Sequence, residues 1–222
     1  MTTGKSKTIS VGGTNDLHVS EHEPLGWFED LYAASTADGQ GVPWATMSTH
    51  PLFAGWLESH ALDGRGRSAL VVGCGMGDDA IRLEELGFDV TAFDVSDSAI
   101  NYCKARFPDS RARFVQADLF QPPSEWSGKF DFVLEIYTVQ AVPPVHEPTA
   151  IGNIAEFVAV SGDLLVIAEV EAGERSFDNG PPWPLTPGHV ESFASRGLKV
   201  VERRVGEAGE NGRASYTTLF RR

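Results

Sequence analysis

The sequence predicts an α/β fold: a doubly wound, mostly parallel sheet with helices on both faces and a helical cap before it. Two observations carry the prediction. Ala69-Leu70-Val71-Val72 runs straight into glycines at 73, 75 and 77, and Ala80, Ile81, Leu83 and Leu86 then stand at helical spacing. That pattern is a buried strand, a tight turn and a helix start. Beyond it, strand-like and helix-like stretches alternate to residue 170, the rhythm of strands joined by crossover helices.

Residues 1–20 are rich in Thr, Ser, Gly and Lys with little periodicity, and are expected to be flexible. Residues 21–62 form the expected cap, with one helix around 27–32, a loop over 37–43 and a second helix from Pro51. Residues 63–67 turn into the first strand of the sheet. Further strands are expected at 89–94, 113–117, 130–136 and 163–170, with helices at 98–106 and 149–160. Ser96 and Asp97 stand where the 98–106 helix needs a cap. The stretch 178–187, with four prolines, is too long for a mere connection. Proline stiffens it and presents Trp183. Thr186 is expected to cap the next helix, with Pro187 as its first residue. Strands at 197–203 and 215–221 close the chain.

A chain of 222 residues suits one domain over 21–222. Its 31 acidic residues against 18 basic ones give a formal net charge of −13. Nucleic-acid phosphates select basic faces, so that partner is not expected and a small molecule is favoured. Cys74 and Cys103 lack metal-ligand spacing, so no metal is expected, and Cys74 reads as a small buried filler. No secretory h-region or membrane-length apolar run is visible. The chain is therefore expected to be cytoplasmic, away from membranes and without an obligate protein partner.

The glycine spacing is G-x-G-x-G. The dinucleotide fingerprint G-x-G-x-x-G needs its third glycine where Asp78 stands. The next strand ends in Asp94, the third at Asp118-Leu119, and the fourth reads Phe130-Asp131-Phe132-Val133-Leu134-Glu135-Ile136. In this order, over residues 66–222, the set resembles the class I S-adenosylmethionine (SAM)-dependent methyltransferases. The resemblance implies a Rossmann-like sheet whose last strand inserts antiparallel, and SAM as donor with S-adenosylhomocysteine as product. It implies that Gly73, Gly75 and Gly77 cradle the donor, that Asp94 with Val95 takes the ribose and that Asp118 with Leu119 reads the adenine. Glu135 marks the donor-side tip of the fourth strand. Asp78 is left between capping its helix and approaching the donor's amino group.

Trp27-Phe28-Glu29-Asp30-Leu31-Tyr32, then Pro43-Trp44 and Pro51-Leu52, resembles the thiopurine, halide and thiol methyltransferase branch, in which the N-terminal segment folds over SAM. Trp27 and Trp44 are then expected over the donor, since ring faces attract a sulfonium; simple packing is the competing role. The segment 135–146 lacks the D/N-P-P-Y/F tetrad of amino-group methyltransferases and a clear His-Asp pair. Its apolar-aromatic run ending in proline is similar to the thiol and halide branch. A thiol, with pKa near 8.5, needs little base; a phenol needs one. The sulfur of a small aromatic or heterocyclic thiol is thus the expected acceptor, with a hydroxylated ring as the alternative. Tyr137 and His146 are the candidate catalytic residues, and Tyr137, Gln140 and Trp183 the candidate substrate contacts. A nicotinamide-dependent oxidoreductase and a non-catalytic SAM-binding protein are the remote alternatives.

Overall fold

The computed structural model describes residues 4–11, 15–171, 175–209 and 212–222. Strands β1 (Ser6–Val11) and β2 (Asn15–Ser20) form an antiparallel hairpin, followed by helices α1 (Gly26–Ala33) and α2 (Pro51–Glu58). Then come β3 (Ser68–Val72), α3 (Asp78–Glu85), β4 (Asp89–Asp94), α4 (Asp97–Arg106) and β5 (Arg113–Gln116). The chain continues through β6 (Phe130–Ile136), α5 (Glu147–Phe157), β7 (Val158–Val170), α6 (Pro187–Ser192), β8 (Lys199–Val205) and β9 (Ala214–Arg221). The main sheet has the order β5-β4-β3-β6-β7-β9-β8. Every neighbour pair is parallel except those of β9, which lies antiparallel to both β7 and β8. This is the expected sheet, with one antiparallel strand near the C-terminus.

The core has two layers because successive strand side chains face opposite ways. In β3, Leu70 and Val72 join the layer under α5 and α6, while Ala69 and Val71 join the layer under α2, α3 and α4. A third cluster seats the cap on the strand tips. It unites Trp27, Leu31 and Tyr32 of α1 with Leu17 and Val19 of β2, Met76 of the glycine turn and Ala99 of α4.

Two expectations need correction. Residues 6–11 and 15–20 are paired strands rather than loose chain; 1–3 and 12–14 lie outside the described residues. Leu17 and Val19 are buried while Asp16 and His18 are exposed, a two-residue alternation that the polar composition hid. Lys7 Nζ donates to Phe177 O at 2.6 Å and fastens the hairpin to the distant loop. The second correction concerns the helix expected over 149–160, which ends at Phe157. Val158 already pairs with Phe130, and the β-branched residues 158 and 160 favour extended chain.

Candidate active site

The strand tips, the cap and the loop after β7 enclose a cavity of about 600 Å³. Its floor is the turn from β3 to α3. Gly73, Gly75 and Gly77 have φ of +58°, +54° and +89°, a region costly for side-chain-bearing residues. At Gly75 the requirement is also spatial: a Cβ there would stand 3.1 Å from Tyr32 Oη and 4.0 Å from Trp44 Nε1. The floor beneath the aromatic cap is open because residue 75 has no side chain. Asp78, behind this turn, is tied by two bonds of 2.8 Å to Arg106 on α4. Gly77, not Asp78, occupies the N-cap position of α3.

Asp94 ends β4 against this floor. Its Oδ2 accepts Gly75 N–H and its Oδ1 accepts Ser96 N–H, both at 3.0 Å. Burial pushes its pKa up to about 6, against the pull of those backbone donors. Ser96 caps α4 by accepting Ala99 N–H, and Glu29 of α1 receives both the Ser96 and Ser98 hydroxyls. The cap helix is thereby locked to the end of β4. Val95 and Leu119 line the same end of the cavity.

Trp27, Phe28, Tyr32 and Trp44 make the roof. Trp27 and Phe28 stack at 4.0 Å, Trp44 meets Trp27 edge-on at 6.0 Å, and Trp44 Nε1 donates to Tyr32 Oη at 2.9 Å. Burial, with Asp94 nearby, keeps Tyr32 protonated well above the ordinary phenol range. Among the described residues, Trp27 Nε1 is buried without a partner. A glycine cradle, a buried carboxylate and an unpaired indole N–H around one cavity fit the donor that the sequence resemblance implies.

The other end is built from distant segments. Ile9 and Ser10 of β1, His50 before α2, Tyr137 and Gln140 after β6, Glu169 of β7, and Pro181-Pro182 all line it. Tyr137 has φ +60°, unusual for a bulky residue, and its ring meets the His50 ring edge-on at 5.1 Å. Burial and the Glu169 carboxylate raise its pKa. Gln140 Oε1 accepts Glu169 N–H at 2.7 Å, and Gln140 O accepts Trp183 N–H at 2.7 Å. No lysine or arginine among the described residues lines the cavity.

Four expected site residues lie elsewhere. His146 is off the cavity, its Nε2 bonded to Glu21 O at 2.6 Å. Trp183 is 1 % exposed and donates to Phe177 O; Pro181 and Pro182 of its loop form the wall instead. Asp118 turns back to accept Phe120 N–H at 2.7 Å. Glu135 is buried beneath the tip of β6, with Oε1 accepting Val139 N–H. Conversely, His50, Asp79 and the hairpin's Ile9 line the cavity without having stood out in the sequence, while Tyr32 stands there only as part of the aromatic cap pattern and Glu169 only as a strand tip. His50-Pro51 at a helix start was the one local signal for His50. Among the described residues no cluster of His, Cys, Asp or Glu is placed to hold a metal ion, and no helix is long and apolar enough to cross a membrane.

Comparison with known proteins bears on the fold and the family. Residues 69–162 match the family model described as a methyltransferase domain. The chain is 27 % identical over 193 residues to the Arabidopsis thaliana protein named "Probable thiol methyltransferase 2", covering 83 % of this chain and 79 % of that one. It is 28 % identical over 166 residues to thiocyanate methyltransferase 1 of Brassica oleracea, covering 72 % and 70 %. In fold it is similar to the 1,6-didemethyltoxoflavin-N1-methyltransferase of Burkholderia thailandensis, solved with 1,6-didemethyltoxoflavin and S-adenosylhomocysteine bound. That match has a TM-score of 0.70 at 16 % identity, over 97 % of this chain and 99 % of that one.

Proposed function

We propose that this chain, a class I SAM-dependent methyltransferase, transfers the methyl group to the sulfur of a small, neutral aromatic or heterocyclic thiol. The observation that carries the acceptor reading is the cavity's far end, walled by Ile9, Tyr137 and Pro181-Pro182 without a lining cation among the described residues. Such a wall suits a flat uncharged molecule, and the likeness to thiol and thiocyanate methyltransferases supports sulfur.

When bound, SAM supplies a methyl group on a positively charged sulfur that is also its leaving group. In this reading Gly73, Gly75 and Gly77 give it a floor without side chains. Asp94 receives the ribose hydroxyls, Val95 and Leu119 hold the base, and Trp27 offers its unpaired N–H. The rings of Trp27, Phe28, Tyr32 and Trp44 exclude water and favour the cation. Tyr137, Gln140 and Pro181-Pro182 hold the acceptor in line; approach and alignment supply most of the rate, since the electrophile is already activated.

The test is methyl transfer from labelled SAM across matched aromatic thiols, phenols and hydroxylated heterocycles. Turnover of thiols well above the oxygen analogues is expected. Preferred turnover of the hydroxyl compounds would replace sulfur by oxygen as the acceptor atom.

A further inference from the structure

His50 is the unassigned chemical group of the cavity. Its side chain lines the acceptor end, and no hydrogen bond to either ring nitrogen is made among the described residues. Among the described residues Nδ1 is buried without a partner, and Nε2 is the ring's remaining nitrogen. The ring is held by two fixtures that leave its nitrogens free. Its main-chain N–H donates to Asp79 Oδ1 at 2.8 Å, and its face or edge packs at 90° on Tyr137. Tyr137 in turn keeps a positive φ at the tip of β6, a conformation that the surroundings must impose on a bulky residue.

We propose that His50 is the proton acceptor for the methyl acceptor, taking the S–H proton at Nε2 as the carbon–sulfur bond forms. This rests on the sulfur reading above. In the step, a lone pair of the thiol sulfur forms the new S–CH₃ bond. The C–S bond of the sulfonium breaks, its electron pair stays on the departing sulfur, and S-adenosylhomocysteine leaves. The acceptor's proton passes to His50, giving a neutral thioether and an imidazolium that returns the proton to solvent after release. A thiol that has begun to bond a methyl cation is strongly acidic, so a weak base suffices.

The neighbouring titratable groups leave this role to His50. Tyr137, facing it from the end of β6, is held protonated by burial and by Glu169, so it is not a base at neutral pH. Glu169 at the end of β7 is paired with Arg213 at 3.4 Å. Asp79, on the first turn of α3, spends Oδ1 on the His50 main chain, and burial raises its pKa to about 6. Asp78 is occupied by Arg106, and Cys74 and Tyr32 stay protonated well above neutrality. Burial lowers the His50 pKa below its ordinary 6.5, so the ring is neutral and able to accept at physiological pH.

The experiment compares wild type, His50→Gln, His50→Asn and Asp79→Asn across thiols ranging from electron-poor thiophenols, already thiolate at neutral pH, to alkyl thiols that are not. The His50 variants should lose activity in proportion to acceptor basicity, reaching about 10²-fold for the alkyl thiols. Wild-type kcat/KM for those thiols should fall as pH drops through the His50 pKa, below 6.5, and that limb should vanish in His50→Gln. An imidazole C–H resonance missing from the His50→Gln spectrum should titrate in the same range in the free protein. Calorimetric affinity for S-adenosylhomocysteine should match wild type, which verifies folding. A loss equal for every thiol makes His50 a packing residue and overturns the proposal. So does a graded loss found only in Asp79→Asn, or an S-adenosylhomocysteine affinity that falls with activity in both His50 variants. If wild type turns over no thiol, the sulfur reading itself fails and the S–H proton transfer falls with it.

Discussion

The two ends of the cavity are made in different ways. The glycine floor is short in sequence: Gly73 to Gly77 and Asp94 to Ser96 are consecutive strand-to-helix turns on neighbouring strands. Their bonds run between adjacent pieces: Cys74 N–H to Phe93 O, Gly75 N–H to Asp94, Ser96 N–H to Asp94. The acceptor end gathers Ile9, His50, Tyr137, Gln140 and Pro181-Pro182 from separate parts of the chain. Its ties are long-range: Lys7 to Phe177 O, Gln140 to Glu169 N–H, Trp183 N–H to Gln140 O, and Arg175 to Glu147. Turn chemistry builds the glycine floor, whereas tertiary cross-links build the far end. The acceptor wall should therefore be alterable without loss of donor binding.

The harshest test of that separation is the cross-link between Glu147 and Arg175. Glu147, at the start of α5, is buried and bonded by both its oxygens to the Arg175 guanidinium, which also donates to Trp183 O at 3.0 Å. Arg175→Met should cost about 3–5 kcal/mol of stability in denaturant titrations, because it leaves a buried carboxylate with only the His189 ring, 3.7 Å away, for a partner. Arg175→Met combined with Glu147→Met should recover much of that loss, since no charge is then stranded. If the two ends are separable, the double variant should bind the acceptor less well, with a raised KM. Its affinity for S-adenosylhomocysteine should stay near wild type. A parallel loss of both affinities would mean that the cavity is one mechanical unit.

Asp94→Ala probes the other end with a smaller effect. It should weaken SAM binding by about 1.5–3 kcal/mol, the scale of hydrogen bonds to a charged group, and spare the acceptor KM. The pH dependence has a definite sign. Ribose hydroxyls donate to the ionised carboxylate, and in the free protein the Asp94 pKa stands at about 6. SAM affinity should fall as pH drops below about 6 in wild type and lose that dependence in Asp94→Ala. Calorimetry at pH 5 and 8 checks it, and a variant that keeps the wild-type pH dependence would remove Asp94 from the ribose site.

The same contrast explains what could be read from the sequence. The sheet and the donor floor were legible because strand period, glycine spacing and a terminal acid are local signals, and the structure brings Gly73, Gly75, Gly77 and Asp94 to one cavity. Trp27 and Trp44 line the roof of the same cavity. His146 lies off the cavity because closeness along the chain to Tyr137 is not closeness in space: the short helical turns after Pro143 carry it to Glu21. His50 lies far from Tyr137 in sequence and against it in the fold, so no local signal joins the two. Trp183 was assigned to the right loop and the wrong surface. Its large apolar ring packs inward on Phe177 and leaves the two prolines to face the cavity.

Glu135 lies at the seam between the two ends and offers the finest test. It is buried beneath the β6 tip that presents Tyr137, with Oε1 accepting Val139 N–H and Oε2 unpartnered among the described residues. Burial raises its pKa from 4.5 to about 7. Between those values the folded protein holds a proton that the unfolded chain has released. Stability from this group must therefore decline as pH rises from about 4.5 through 7, the reverse of an ordinary paired carboxylate. Glu135→Gln removes the titration and retains a carbonyl for Val139 N–H. Its stability relative to wild type should improve with pH over that interval, by a few degrees in Tm, since 1 kcal/mol corresponds to about 2–4 °C in a chain of this size. Paired thermal melts at pH 5 and 8 decide it. A difference in Tm that is the same at both pH values would show that Glu135 stays ionised in the folded protein, and that the turn carrying Tyr137 is bound to β6 by a charged rather than a neutral acceptor.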